Sequence, residues 1–135
     1  MTIENCYNKG NISGSEMIGG LAGSILNGSL IKNSYNIGTI EASVNYSGAI
    51  VGRKSGATAK IENSYYLNTS IEKSNEYGEA KNADFMRSQD FVNMLNNNTD
   101  VWYIDEENTN DGYPILLTTK HLDVEEYFDT DNAVS

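Results

Sequence analysis

The chain has 135 residues, of which 39% are hydrophobic and 21% are charged, and this composition is ordinary for one folded domain or one piece of a repeat array. The formal net charge is −10, but residues 1–68 hold four acidic and five basic residues, whereas residues 69–135 hold fifteen acidic and four basic ones. Neither half has the clustered lysine and arginine that phosphate binding needs. We therefore do not expect nucleic acid or an anionic membrane as a partner.

The start of the chain shows no targeting signal. Met1 is not followed by a basic segment and an apolar segment, and no apolar run is long enough for a transmembrane helix. Because the chain begins at the edge of a repeat, we expect it to be a piece of a longer protein, and the missing leader then says nothing about its destination.

One sequence word recurs along the first half of the chain. Asn5-Cys-Tyr-Asn-Lys-Gly-Asn-Ile returns as Asn33-Ser-Tyr-Asn-Ile-Gly-Thr-Ile, and a third copy begins at Asn63-Ser-Tyr-Tyr-Leu-Asn. The interval from Asn5 to Asn33, from Asn33 to Asn63 and from Ile18 to Ser47 is in each case roughly 28–30 residues. Such a period predicts stacked units, each too small to bury its own apolar face.

The composition of residues 3–68 indicates strands and turns. Glycine and asparagine suit left-handed turn positions, and the short Ile, Leu, Val and Tyr runs suit strands. We predict three strands per unit, near 3–7, 17–22 and 29–32 and again near 33–40, 48–52 and 58–61. The prediction is a mainly β fold in which positions 1–68 form a short parallel β-solenoid of two coils, each of about 28–30 residues.

Corresponding residues of successive coils are expected to lie above one another. The expected ladders are Asn5 over Asn33 over Asn63, and Tyr7 over Tyr35 over Tyr65. Simple alternation puts Ile3, Asn5 and Tyr7 on one face, whereas a bend at the asparagine would reverse the later residues, and both options stay open. An antiparallel sandwich or barrel also has short strands and turns, but it does not require near-identical words at fixed spacing.

The region 69–117 is predicted to be an α/β cap that closes the C-terminal end. Residues 69–81 read as a polar loop, and a helix is predicted near 83–96 with Asn82 as its N-cap. Val101-Trp-Tyr-Ile and Tyr113-Pro-Ile-Leu-Leu flank a turn-rich segment from Glu106 to Gly112, which is typical of a hairpin. Residues 118–135 are predicted to be an acidic tail or linker. No comparable cap precedes Ile3, so we expect self-association through the uncapped N-terminal coil.

Carboxylates in the second half are the first candidates for chemistry. They occur in the predicted turn and in the tail: Asp105, Glu106, Glu107, Asp111, Glu125, Glu126, Asp129 and Asp131. A glycosidase needs one carboxyl held dry opposite a second at fixed separation, and solvated runs offer neither. We interpret these residues as a solvated surface.

Other candidate sites are weaker still. Asn108-Thr-Asn-Asp-Gly112 faintly resembles a calcium loop but lacks the alternate ligands and terminal glutamate. Cys6 and His121 lie too far apart in sequence for a zinc pattern, and Cys6 aligns with Ser34 and Ser64, which indicates a space-limited packing position. The glycines Gly14, Gly19, Gly20 and Gly23 lack a P-loop lysine. We predict no catalytic residue, no metal and no cofactor.

Tyrosines at the junction between repeats and cap have two interpretations. Tyr65, Tyr66 and Tyr77 could bind sugar rings or a partner protein if exposed. Identical side chains also stack simply because they pack well across neighbouring strands. We favour stabilisation of the ladder over ligand recognition.

The repeated words resemble the GLUG repeat of bacterial surface proteins. The resemblance covers roughly residues 4–117 and includes the helix with Phe91-Val-x-x-Leu95-Asn96, then Trp102, then Asp111-Gly-Tyr-Pro-Ile-Leu116. It implies an extracellular protein, attached to the bacterial cell surface or secreted, with the repeats in a stalk or adhesive region that meets a glycan or protein ligand. Similar repeats occur in some large surface peptidases, outside the catalytic part.

From these observations we predict a non-catalytic repeat module that acts in adhesion or as a structural spacer. The alternative is a β-helix fragment of a secreted polysaccharide-processing or peptidase protein, since parallel β-helices also host such enzymes. Those enzymes need charged residues that converge on one face of several coils. Here Glu4, Lys32 and Glu62 alternate in sign at the matching position.

Overall fold

The computed structural model describes residues 1–42 and 46–116, and these residues are mainly β, as predicted. The helices of this part are α1 (Ala83–Met86) and α2 (Gln89–Asn96). Its strands are β1 (Thr2–Glu4), β2 (Tyr7–Asn8), β3 (Ile12–Gly14), β4 (Ile18–Gly19), β5 (Ala22–Ile25), β6 (Leu30–Asn36), β7 (Ile40–Ala42), β8 (Ser47–Gly48), β9 (Val51–Lys54), β10 (Lys60–Leu67), β11 (Glu79–Lys81), β12 (Trp102–Tyr103) and β13 (Ile115–Leu116).

The strands of successive repeats pair in parallel. Copy 1 (residues 2–29) pairs with copy 2 (residues 30–59) through five pairs of strands, which begin at Thr2 with Leu30, Tyr7 with Tyr35, Ile12 with Ile40, Ile18 with Ser47, and Ala22 with Val51. Copy 3, which begins at Lys60, continues the first of these sheets, with Lys60 beside Leu30 and Tyr65 beside Tyr35. The predicted register of the asparagine and tyrosine words is therefore confirmed.

The predicted strand boundaries need correction. The expected break between 29–32 and 33–40 falls inside the single strand β6. No strand was predicted at β3, which pairs with β7, and β7 extends beyond the predicted end at residue 40. Asparagine is depleted in strands, yet β6 runs through Asn33. The strand continues because the neighbouring copies bend at the same place and so stay paired.

A left-handed asparagine produces that bend in every copy. Asn5, Asn33 and Asn63 have φ angles of 55°, 53° and 44°, in the region that asparagine tolerates better than most residues. The side chains two residues before and two residues after the asparagine consequently join different clusters, with Ile31 in one and Tyr35 in the other. Of the two orientations left open by the sequence, the bent one is present.

The buried side chains form two clusters. The aliphatic cluster, within the copies, contains Ile25, Ile31, Ile50, Val51 and Ala59. The aromatic cluster lies between the copies and residues 82–116, here called the side region, and contains Tyr35, Tyr65, Met86, Phe91, Val92, Leu95, Trp102 and Tyr113. Tyr7 packs against the aromatic cluster, so the side region contacts all three copies.

The predicted helix near 83–96 is present as two helices. Asn82 caps α1 by accepting a 2.8 Å hydrogen bond from the backbone N–H of Phe85, as expected, and Ser88 caps α2 in the same way through Phe91. The second cap was not predicted, and it divides the segment. The predicted hairpin is confirmed, because β12 pairs antiparallel with β13.

The C-terminal end of the copies is closed by residues 68–81 rather than by the helices. The strand edge of copy 2 is met by the carbonyl of Ser70, which accepts a 2.7 Å hydrogen bond from Ile40, and by Asn75, which donates a 2.8 Å hydrogen bond to Val51. β11 adds a further parallel strand beside β10. The side region, expected at the end, instead lies along the side of the copies.

Two sequence predictions remain: one concerns the acidic tail and the other concerns transmembrane helices. The acidic tail, residues 118–135, with His121 and four of the candidate carboxylates, lies outside the described residues. In the part of the chain that the structure describes, no helix has the length and apolar character needed to cross a bilayer.

Candidate functional site

Asp105 organises the loop between β12 and β13. Its carboxylate accepts hydrogen bonds from the backbone N–H groups of Asn110 (2.7 Å) and Gly112 (2.9 Å), and from the backbone N–H and hydroxyl of Thr109 (both 2.9 Å). Burial raises the pKa of Asp105, but these hydrogen bonds outweigh burial and bring the pKa below its ordinary value of 3.8. The carboxylate is thus engaged by its own loop.

The other candidate carboxylates of this loop are solvent-exposed. Glu106, Glu107 and Asp111 are exposed, and Asp111 approaches Lys9 at 3.9 Å. None of them is held in the dry environment that a general acid needs. Among the described residues, no group of three or more His, Cys, Asp or Glu is placed to hold a metal ion.

Asn110, in the segment that resembles a calcium loop, is committed to protein contacts. Its side-chain amide donates a 3.0 Å hydrogen bond to the Tyr35 hydroxyl, and its carbonyl oxygen accepts a 3.0 Å hydrogen bond from Lys9. The Tyr35 hydroxyl in turn donates to the backbone oxygen of Pro114 at 2.6 Å. Burial, followed by nearby charge, raises the pKa of Tyr35 well above its ordinary range. This loop joins the side region to copies 1 and 2.

Cys6 is exposed, whereas its equivalents Ser34 and Ser64 are buried. The predicted packing constraint therefore applies to copies 2 and 3 and is wrong for copy 1, which has no further copy above it among the described residues. The shared feature is a hydrogen bond: each of the three side chains donates to the backbone oxygen two residues earlier, across the left-handed asparagine.

Gly19 and Gly20, two of the glycines that lack a P-loop lysine, serve close packing between copies. A Cβ added to Gly20 would collide with the backbone oxygen of Ala49, and one added to Gly19 would collide with copy 2 near Val51. These contacts explain why glycine is needed where copy 1 approaches copy 2.

The tyrosines divide between the two clusters. Tyr7 and Tyr35 stack at 5.2 Å between ring centroids with an interplanar angle of 12°, and Tyr35 and Tyr65 each meet Phe91 edge-on. Tyr65 is only 7% exposed. Tyr66 and Tyr77 pack against the aliphatic cluster on the other side. The ladder tyrosines are thus covered by the side region and offer no open platform.

One cleft collects basic and aromatic residues that sequence reasoning did not bring together. It has a volume of about 500 Å³ and is lined by Arg53, Lys54, Lys73, Tyr46 and Tyr77, and we call it the cationic cleft. The only sequence signal was the adjacent pair Arg53-Lys54, because Lys73 and Tyr77 reach the cleft through the loop that closes copy 2.

These observations define a mainly β repeat protein whose copies pair strand by strand in parallel. Residues 14–41 match the model of the GLUG motif, which confirms the predicted resemblance. The matched segment runs from the end of β3 into β7 and so spans one full period of the repeat. Searches of curated proteins and of solved structures found no match to the chain.

Proposed function

We propose that this chain is a non-catalytic repeat module of a bacterial cell-surface protein, built as a short parallel β-solenoid and acting as a spacer or in adhesion. The observation that carries the proposal is the steady register between copies 1 and 2. The offset between paired residues is the same at Thr2, Tyr7 and Ile12, and it is a single position longer at Ile18 and Ala22. GLUG motifs occur generally in extracellular proteins, which supports the location.

Hydrogen bonds between equivalent side chains support the spacer role. Asn8 donates to Asn36 at 2.9 Å, and Asn63 donates to Asn33 at 2.7 Å. Partly buried amide ladders of this kind add polar contacts between neighbouring copies to the backbone pairing. Copies held in this way form a stiff unit whose length grows with copy number.

The charges on the copies support a non-catalytic role. Lys32 lies 3.5 Å from Glu4 of copy 1 and pairs in register with Glu62 of copy 3. A lysine between two carboxylates neutralises their charge, so the carboxylates do not assemble an acid–base pair. Incubation of the chain with a panel of bacterial and host polysaccharides is expected to release no oligosaccharide. Any oligosaccharide that forms only when the chain is present would overturn this part of the proposal.

The N-terminal edge is the proposed site of contact with a further copy. Among the described residues, strands β1 to β5 pair on one side only. Three apolar side chains in copy 1 or directly before it are exposed: Met1 (61%), Met17 (36%) and Leu26 (62%). An unpaired strand edge with adjacent apolar surface is a template for another chain. The occupant is a second copy of this chain, or a preceding repeat in a longer protein.

Analytical ultracentrifugation tests this contact. The chain is expected to associate as its concentration rises, and Leu26→Lys is expected to weaken the association. Ser55→Lys is the matched control, because Ser55 follows Lys54 as Leu26 follows Ile25, and Ile25 pairs with Lys54. A chain that stays monomeric at every concentration would contradict the proposed edge contact.

A further inference from the structure

Four of the nine basic residues gather at or beside the cationic cleft, on a protein whose net charge is −10. Arg53, Lys54 and Lys73 line the cleft, and Lys54 also lines an adjoining cleft with Lys60. Within the described part of the chain, none of these four takes part in an ion pair. Glu76 lines both clefts and Glu62 lines the adjoining one, so four basic residues face two acidic ones. The local excess of positive charge can bind an anion.

Two tyrosines line the same cleft. The Arg53 guanidinium lies 5.2 Å from the centre of the Tyr46 ring, and Tyr46 is 50% exposed. Tyr77 lines both clefts and is positioned by a 3.2 Å hydrogen bond from its backbone N–H to Asn75. Aromatic rings at the edge of a polar cleft provide flat apolar surface for the C–H faces of sugars.

The loop that carries Lys73 and Tyr77 is held in place. Asn75 donates a 2.8 Å hydrogen bond to the backbone oxygen of Val51, and the Ser74 hydroxyl accepts a 3.0 Å hydrogen bond from the backbone N–H of Ala49. Both bonds join the loop to copy 2. A cleft whose walls are fixed before binding loses less conformational entropy when a ligand enters.

We infer that the cationic cleft binds a single sugar residue bearing a carboxylate, of the uronic or sialic acid class. The carboxylate pairs with Arg53 and the neighbouring lysines, and the sugar ring packs against tyrosine. A volume of about 500 Å³ suits a small ligand of this size. The net charge of −10 disfavours an extended polyanion, because its remaining charges would be repelled. The inference rests on the proposed function in its adhesive form.

Isothermal titration of the full chain tests the inference with three sugars: a disaccharide ending in glucuronic acid, sialyllactose and neutral lactose. We expect one or both acidic sugars to bind at least about tenfold more tightly than lactose, and the preferred one identifies the source of the carboxylate. Arg53→Gln is expected to weaken that binding by about tenfold. Lys32→Gln, which removes a cation outside the cleft, is expected to leave it unchanged, with circular dichroism confirming that both variants fold.

Equal binding of lactose and the acidic sugars would overturn the inference, as would equal weakening by Arg53→Gln and Lys32→Gln. Tighter binding of an aspartate-rich peptide than of either acidic sugar would overturn it in favour of a protein ligand. These outcomes leave the association measured by ultracentrifugation untouched. Failure of the sugar site is therefore distinguishable from failure of the proposed repeat module.

Discussion

The aliphatic cluster and the aromatic cluster are assembled from different kinds of sequence. The aliphatic cluster draws its buried residues from the copies themselves, as in the pairing of Ile31 with Ile3 and Ile61. The aromatic cluster combines the recurring tyrosines with residues that occur once, such as Phe91 and Trp102. The copies bury the aliphatic cluster by themselves, but the tyrosine ladder on their other side is buried only because the non-repeated side region covers it.

This difference gives the side region the role of linking the copies along their side. The Trp102 indole donates a 3.2 Å hydrogen bond to the backbone oxygen of Asn33 in copy 2, and the Met94 carbonyl accepts a 2.6 Å hydrogen bond from Asn63 in copy 3. Lys9 of copy 1 reaches Asn110. The side region therefore ties together copies that would otherwise depend on contacts with their neighbours alone.

Removal of the Trp102 side chain is expected to have the largest effect. Trp102 is 1% exposed and contacts the rings of Tyr7 and Tyr35, so Trp102→Ala should lower the free energy of unfolding by about 3–5 kcal/mol. Urea denaturation followed by circular dichroism measures this. Trp102→Phe keeps an aromatic ring and loses the indole hydrogen bond, so its cost should be smaller. Equal costs for the two variants would show that ring packing against Tyr7 and Tyr35 is not what Trp102 supplies.

The recurring parts of the fold could be predicted from sequence because a motif repeated at fixed spacing indicates which residues of successive copies pair. The ladders of Asn5 with Asn33 and of Tyr7 with Tyr35 follow from spacing alone, and the Asn82 cap follows from local hydrogen bonding. Whether the asparagine bends the strand was undetermined, since asparagine is compatible with both conformations. The bend depends on all copies together, because their strands stay paired only if each copy bends at the same position.

The contacts of the side region were inaccessible for a different reason. Asp105 read as a solvated carboxylate because its partners are backbone N–H groups, which every residue except proline possesses and no pattern distinguishes. Lys73 was a loop residue with no visible relation to Arg53, and only the path of residues 68–81 under copy 2 brings them to one cleft. Both depend on tertiary placement of loops, which period and spacing do not encode.

Substitution of Asp105 tests whether the side region depends on charge. Asp105→Asn removes a charged acceptor of four hydrogen bonds and should lower the free energy of unfolding by about 2–3 kcal/mol at pH 7. Because the folded-state pKa lies below 3.8, this stabilisation is complete above that pH and is lost as the pH falls through the folded-state pKa. Urea denaturation from about pH 2 to about pH 7 should show the variant and the parent chain converging in acid. A constant difference across this range would contradict the assigned ionisation.

The smallest expected effect separates two tyrosines of one ladder. Tyr35→Phe removes the hydroxyl that donates to Pro114 and accepts from Asn110, leaving buried partners unpaired, so the free energy of unfolding should fall by about 1–2 kcal/mol. Tyr7→Phe is the matched control, because Tyr7 stacks on Tyr35 but lies at the half-buried end of the ladder. Its loss should stay within about 0.5 kcal/mol. Both variants retain the stacked rings, so equal losses in thermal or urea denaturation would contradict a stabilising role for the Tyr35 hydroxyl contacts that attach copy 2 to the side region.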